Sequence, residues 1–387
     1  MIRTQIVCSF AAGFLLLCGC GSDSGQEALR RGMEAFNTQN YAEAITQLSR
    51  AAQRITDSAD LYYHLGAAHL EKGELEPAAE AFNAALELKK KHGEALAGLG
   101  QVAFFKKDLA KAKALFLQAL KADVSSDEAR ASILNSLALT EAGLQHYDLA
   151  RLDLLRAQQA CRQYAPSLYN LASLYRDTYG LREEALDQFE MFLHLPKKSD
   201  RYFEKAEDNV KRLRLNLERT QADELDALRR DPAAAAKLLH AGISAHSAKQ
   251  YPKAIKAYRD ALLSDPLAFN AAFGLGTVYR IQEQRAEAME AFKRAAAINP
   301  GHQDSYLQAA ELAFQLKRYD EAEKILDRAI ARSPYNPASA ELMARIRYAQ
   351  TRLAEARAYG EFYLSVLRPN DKNRPAYEKW VQALPAM

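Results

Sequence analysis

Residues 59–92 read ADLYYHLGAAHLEKGELEPAAEAFNAALELKKKH, and residues 93–126 read GEALAGLGQVAFFKKDLAKAKALFLQALKADVSS. Laid one over the other, Gly66 falls on Gly100, Ala78 on Ala112, Phe82 on Phe116 and Ala85 on Ala119. The same columns run back into Gly32, Ala44, Leu48 and Ala51, so a period of 34 residues governs the stretch from about residue 25. The second half returns to it. Gly242, Gly276, Ala310 and Ala344 form one column, Ala254, Ala288, Ala322 and Ala356 another, and Pro266, Pro300 and Pro334 a third. Self-similarity of this length marks stacked supersecondary units, each burying its apolar face on its neighbours. Glycine and proline are scarce (17 and 12 of 387 residues), and no period-2 run lies between turn residues. The pattern predicts an all-α chain.

Each column has a steric reason. A small residue at the eighth position lets two antiparallel helices approach closely, and the alanine at the twentieth faces it. The large side chain at the twenty-fourth and the alanine at the twenty-seventh fill space toward the next hairpin. Proline at the thirty-second stops the second helix, because it has no N–H to donate to the helical ladder. This pattern resembles the tetratricopeptide repeat, with small residues at positions 8, 20 and 27 and proline at 32. The resemblance covers nearly all of the chain beyond residue 25. It implies a tetratricopeptide-type α-solenoid, a right-handed superhelix of antiparallel helix pairs, with about nine repeats in two arrays.

Registered on the small residue, the units start near residues 25, 59, 93, 131, 165, 235, 269, 303 and 337. The fourth starts four residues late, which places an insertion around Val124 to Arg130. The fifth needs one extra residue before Ala185. The ninth carries Gly360 where a large residue belongs. The expected organisation is an N-terminal array of about five repeats over 26–196, a helical linker over 197–232 and a C-terminal array of about four over 233–370. A cap over 371–387 holds the only tryptophan, Trp380. In the linker Val210, Leu213 and Leu217 recur at helical spacing.

The N-terminus reads MIRTQIVCSFAAGFLLLCGC. Arg3 precedes an uncharged, mostly apolar stretch, Ile6 to Leu17, too short to span a bilayer comfortably. Leu17-Cys18-Gly19-Cys20 resembles the bacterial lipobox. By that resemblance residues 1–19 are a cleaved signal peptide, Cys20 is the lipidated mature N-terminus, and residues 20–25 are a tether. Gly21 after Cys20 leans the expectation toward the outer membrane, facing the periplasm. The alternative is an ordinary secretory signal without lipid. Of the four cysteines, Cys8 and Cys18 would leave with the signal, and Cys161 alone would remain as a thiol, so no intramolecular disulfide is expected.

The net charge of +3, from 52 basic and 49 acidic residues, lacks the clustered basic stripe of a nucleic-acid binder. No HExxH, P-loop, Rossmann glycine fingerprint or GxSxG elbow is present, and the eight histidines are scattered. No enzyme activity, cofactor or metal is therefore expected. In the repeat family the first helix of each pair lines the concave face. Carried onto this sequence, that rule nominates Arg30, Phe36, Tyr63, Phe104, Tyr169, Asn170 and Arg176 for the N-terminal groove. For the C-terminal groove it nominates Asn270, Phe273, Arg280, Phe314, Arg345 and Tyr348. Aromatic and arginine side chains most often anchor interfaces, so the expected partner is another protein, as a helix or extended peptide. The lysines and asparagines of a carboxylate clamp are missing from any three consecutive units; Asn135 and Asn170 come nearest.

The leading expectation is a scaffold held to the envelope by its lipid, for assembly of an envelope, secretion or pilus machine. A self-associating spacer is the second. A hydrolase or carbohydrate-processing enzyme is the third, and it lacks an evident carboxylate pair.

Overall fold

The computed structural model describes residues 24–196, 201–226 and 230–385. The expected signal peptide over 1–19 and the lipidation at Cys20 lie outside the described residues. Among the described residues the secondary structure is helical, with no strand; an isolated bridge joins His92 to Asp123. The chain divides into two compact units, with the boundary between Leu171 and Ala172.

The first unit holds α1 (Ser24–Asn37) with α2 (Tyr41–Ala52), α3 (Ala59–Lys72) with α4 (Leu75–Leu88), and α5 (Gly93–Phe105) with α6 (Leu109–Lys121). It continues through α7 (Asp127–Gly143), α8 (Tyr147–Ala160) and most of α9 (Ala165–Leu174). The second holds the end of α9 with α10 (Arg182–Leu193), the long α11 (Arg201–Asp226), and α12 (Pro232–Ser247) with α13 (Tyr251–Ser264). Then come α14 (Phe269–Ile281) with α15 (Arg285–Ile298), α16 (Gln303–Gln315) with α17 (Tyr319–Arg332), and α18 (Pro337–Ala349) with α19 (Leu353–Val366). The last helix is α20 (Arg374–Ala383). Seven of the nine helix pairs begin within one residue of the registered starts, α7 and α12 beginning four and three residues earlier, and the tetratricopeptide-type α-solenoid fold is the one observed.

The turn inside each hairpin is built the same way. The first or second residue after the first helix lies in the left-handed region: Gln39, Gly73, Lys107 and Gln145 in the first unit, and Gly180, Lys249, Glu283, Lys317 and Thr351 in the second. At Lys107 its N–H donates to Phe104 O, and the next N–H, of Asp108, donates to Ala103 O, both at 3.0 Å. That pair of bonds satisfies helix-end carbonyls that would otherwise lack donors.

The two irregularities in spacing are absorbed differently. The four surplus residues of the fourth repeat become an extra turn at the start of α7, which has 17 residues against 13 in α5. Ser126 caps that turn, its Oγ accepting from Ala129 N at 3.0 Å. The single surplus residue of the fifth repeat widens the end of its first helix into a π turn over Tyr175–Tyr179. There Leu181 N–H reaches six residues back, to Tyr175 O at 2.9 Å, where the other hairpins reach back five.

The repeating core unit is a large side chain in a slot cut by glycine. A Cβ on Gly66 would stand 2.7 Å from the Phe82 ring, and one on Gly98, in the next hairpin, 2.4 Å from it. Tyr258 repeats this with Gly242 (2.6 Å) and Gly274 (2.8 Å). The large side chain at the twenty-fourth position therefore meets its own hairpin as well as the next. A fully buried Phe contributes on the order of 2 kcal/mol over an exposed one, which is recovered only if helix backbones come this close. In the second unit, Phe203, Ala206, Val210 and Leu213 of α11 are buried, and Phe203 lies 4.8 Å from Phe192 of α10. At the other end Val381 and Trp380 of α20 occupy the space above Gly360, and the Tyr377 ring lies 4.4 Å from that of Tyr363, tilted by 53°. Small Gly360 is where α20 fits. Among the described residues no helix is long and apolar enough to cross a membrane.

Candidate functional site

On the first-helix face of the first unit lies a cavity of about 290 Å³. Tyr63, Ala67, Leu70 and Glu71 of α3 line it at helical spacing, as do Glu94, Ala97, Gly98 and Gln101 of α5. Residues four and seven apart share a face of a helix, so each helix presents one stripe to the opening. Phe36 and Asn37 of α1, with Gln39 and Tyr41 beyond it, close one end; Ala129, Ser132 and Ile133 of α7 close the other, and Phe82 forms part of the floor. Small residues at Ala67, Ala97 and Gly98 leave the room.

The lining carries two carboxylates and no Lys, Arg or His. They are differently placed. Glu94 accepts from Ser125 N at 2.7 Å and stands 3.4 Å from His92 Nδ1, while His92 Nε2 faces Asp60 at 3.2 Å. Burial alone would raise its pKa, but hydrogen bonds from His92 and Ser125 outweigh burial and bring it to about 2. Glu71 is half-buried and has no hydrogen-bond or ion-pair partner. Burial pushes its carboxyl up to about 7. Beside the cavity His64 packs 5.7 Å from Phe36 and 5.0 Å from Tyr63. Its Nδ1 is buried without a partner, and burial lowers its pKa to about 4.

The nominated groove residues fall in varied settings. Phe36 and Tyr63 line the cavity. Arg30 is exposed and paired with Glu27 (2.9 Å) and Glu34 (3.3 Å). Phe104 packs against the core of Phe116, Ile133 and Leu137. Tyr169 and Asn170 are half-buried, and Asn170 Nδ2 donates to Asn135 Oδ1 at 2.8 Å.

In the second unit Arg176 binds Asp177 through two bonds (2.6 and 2.7 Å), donates to Asn209 of α11, and lies 5.6 Å over the Phe189 ring. Asn270 is exposed. Phe273 packs on Phe292 (5.2 Å) and His302 (5.0 Å). Arg280 donates to Gln308 at 2.6 Å. Arg345 lies 4.8 Å over Phe314 and pairs with Glu311 at 3.2 Å, linking α16 to α18. Tyr348 is exposed, 5.8 Å from Trp380. Among the described residues no three His, Cys, Asp or Glu side chains come together as a metal site would need.

Glu71 and Glu94 did not stand out in the sequence, although they sit at positions 13 and 2 of their repeats, on the groove-facing helix. Selection for aromatics and arginines passed over them. Spacing does not single them out, and Arg30, the basic residue nominated in the preceding repeat, pairs with Glu27 and Glu34 instead.

Comparison with known proteins gives the following. Profiles of the tetratricopeptide repeat match residues 29–93, 93–123, 241–303 and 279–346, together more than half of the chain. A thermophilic tetratricopeptide-repeat protein of Thermus thermophilus is 21% identical with a TM-score of 0.43, over 48% of this chain and 98% of that one. YrrB, a tetratricopeptide-repeat protein with an unusual peptide-binding site, is 19% identical with a TM-score of 0.31, over 70% and 97%. A fragment of MamA from Desulfovibrio magneticus is 17% identical with a TM-score of 0.36, over 45% and 96%. No curated protein matches the chain.

Proposed function

Because this chain is built of tetratricopeptide repeats, we propose that it is a non-catalytic scaffold that binds a segment of another protein along its first-helix face. The observation that carries this is the cavity over α3 and α5, lined by Phe36, Tyr63, Glu71, Glu94 and Gln101. Its mixture of aromatic surface and a few polar groups is what a pocket for a peptide side chain needs. A solenoid offers such a surface without a conformational change, because each hairpin packs on its sequence neighbours and leaves the first-helix face open.

The scaffold would be tethered through a lipid on Cys20, with two or more acyl chains giving the stable anchoring that one does not, and would serve assembly of an envelope, secretion or pilus machine. A photo-crosslinking amino acid at Gln101 should capture a defined partner from detergent-solubilised envelopes, and Tyr63→Asp should abolish the adduct. Absence of any Gln101 adduct under several growth conditions would overturn the reading. Labelling with a palmitate analogue should mark the parent chain and not Cys20→Ala; equal labelling of both, or of neither, would remove the anchor.

A further inference from the structure

We infer that the cavity of the first unit is a pocket for one cationic side chain, arginine or lysine, of the bound segment. This rests on the scaffold reading and specifies its partner. In a chain of net charge +3, the residues lining this cavity bear two acids and no base. Glu94 already accepts from Ser125 N–H and has the His92 ring 3.4 Å away, but Glu71 has no partner. A carboxylate withdrawn from water without a partner is costly, and an incoming ammonium or guanidinium removes that cost. Burial holds the Glu71 carboxyl up near 7, as expected of an acid that lacks its counter-charge.

The walls suit the same guest. Phe36, Tyr41 and Tyr63 bring aromatic rings to the opening, and a cation over a ring face gains further attraction, most with the flat guanidinium. Gln101 and Asn37 add carbonyl acceptors. The volume, about 290 Å³, lies at the lower end of ligand pockets, enough for one long side chain and not for a folded domain. A phosphate or carboxylate guest would meet two acids with no donor side chain of opposite charge. An apolar side chain would bury Glu71 further and leave it unpaired.

The test displays immobilised twelve-residue peptides with varied flanks and one central position set to Arg, Lys, citrulline, Leu or Glu. The full chain, its E71Q variant and an E287Q control, at an exposed acid on the second helix of a hairpin in the second unit, are bound to them. E71Q removes a charge that has no partner, so it folds at least as well as the parent, checked by far-UV circular dichroism. Arg or Lys should bind at least tenfold more tightly than citrulline and Leu. E71Q should shrink that preference to twofold or less, while E287Q leaves it intact. Equal binding of citrulline or Leu, or a preference that survives in E71Q, overturns the pocket while leaving the scaffold standing. Silence of the whole array, together with no adduct from Gln101, overturns both.

Discussion

Phe82 is held between Gly66 and Gly98, each sixteen residues from it in sequence. A methyl group on Gly98 would press into the ring, and overpacking of this kind costs about 1–3 kcal/mol. Gly98→Ala should therefore lower stability by about 2–3 kcal/mol in urea unfolding, and Phe82→Leu in the same chain should recover part of the loss as a coupling energy near 1 kcal/mol. Additive single losses would mean that the contact is not what the glycine serves. Glu71 makes the second prediction. Its carboxyl is raised on folding, so its favourable contribution is complete below the unfolded value of 4.5 and is lost as pH climbs past about 7. Glu71→Gln should match the parent at pH 4 and exceed it by roughly 1–3 kcal/mol at pH 8. A constant difference across that range would refute the assignment. The Gly66 side of the slot was readable beforehand in the column of small residues, but Gly98 and Glu71 were not. A lone acid on a helix is ordinary until one sees that nothing across the groove answers its charge.

At the scale of the helix pair, the turn after each first helix places one residue at positive φ, and seven of these residues are not glycine. Thr351 is branched at Cβ and sits at φ 61°, where an L-residue other than glycine pays about 1–2 kcal/mol. Thr351→Gly should raise stability by about 1 kcal/mol, read from the shift in urea midpoint of the second unit. A loss instead would show that the exposed hydroxyl, bonded to Gln350 O at 2.6 Å, contributes more than the strain costs. The helix pairs themselves were legible because period, small-residue columns and terminal prolines agree. The shape taken by the surplus residues was not. Counting reveals four extra before repeat four and one in repeat five, but not that the first set would extend α7 while the second became a π turn. That choice depends on which hydrogen bonds the end of each helix can complete, which spacing does not encode.

Across the whole chain, stability in a repeat array is a sum of unit and neighbour contributions. Here α20 packs on the α18–α19 pair, its Trp380 and Val381 covering Gly360. Trp380 is the only tryptophan, so its fluorescence reports on this end alone. In a denaturant titration the fluorescence transition should precede the loss of helical ellipticity, and removing residues 371–387 should leave most of the ellipticity in place. Coincident transitions would point to a single cooperative block. The slots around Phe82 and Tyr258 carry a consequence for how such a chain changes in length. Glycine, ring and glycine recur at 66, 82 and 98 and again at 242, 258 and 274, so the seam after hairpin 59–92 has the same cut as the seam after 235–268. A chimera exchanging these two modules keeps both joints, and recombination at those seams could add or remove whole modules without designing a new fit.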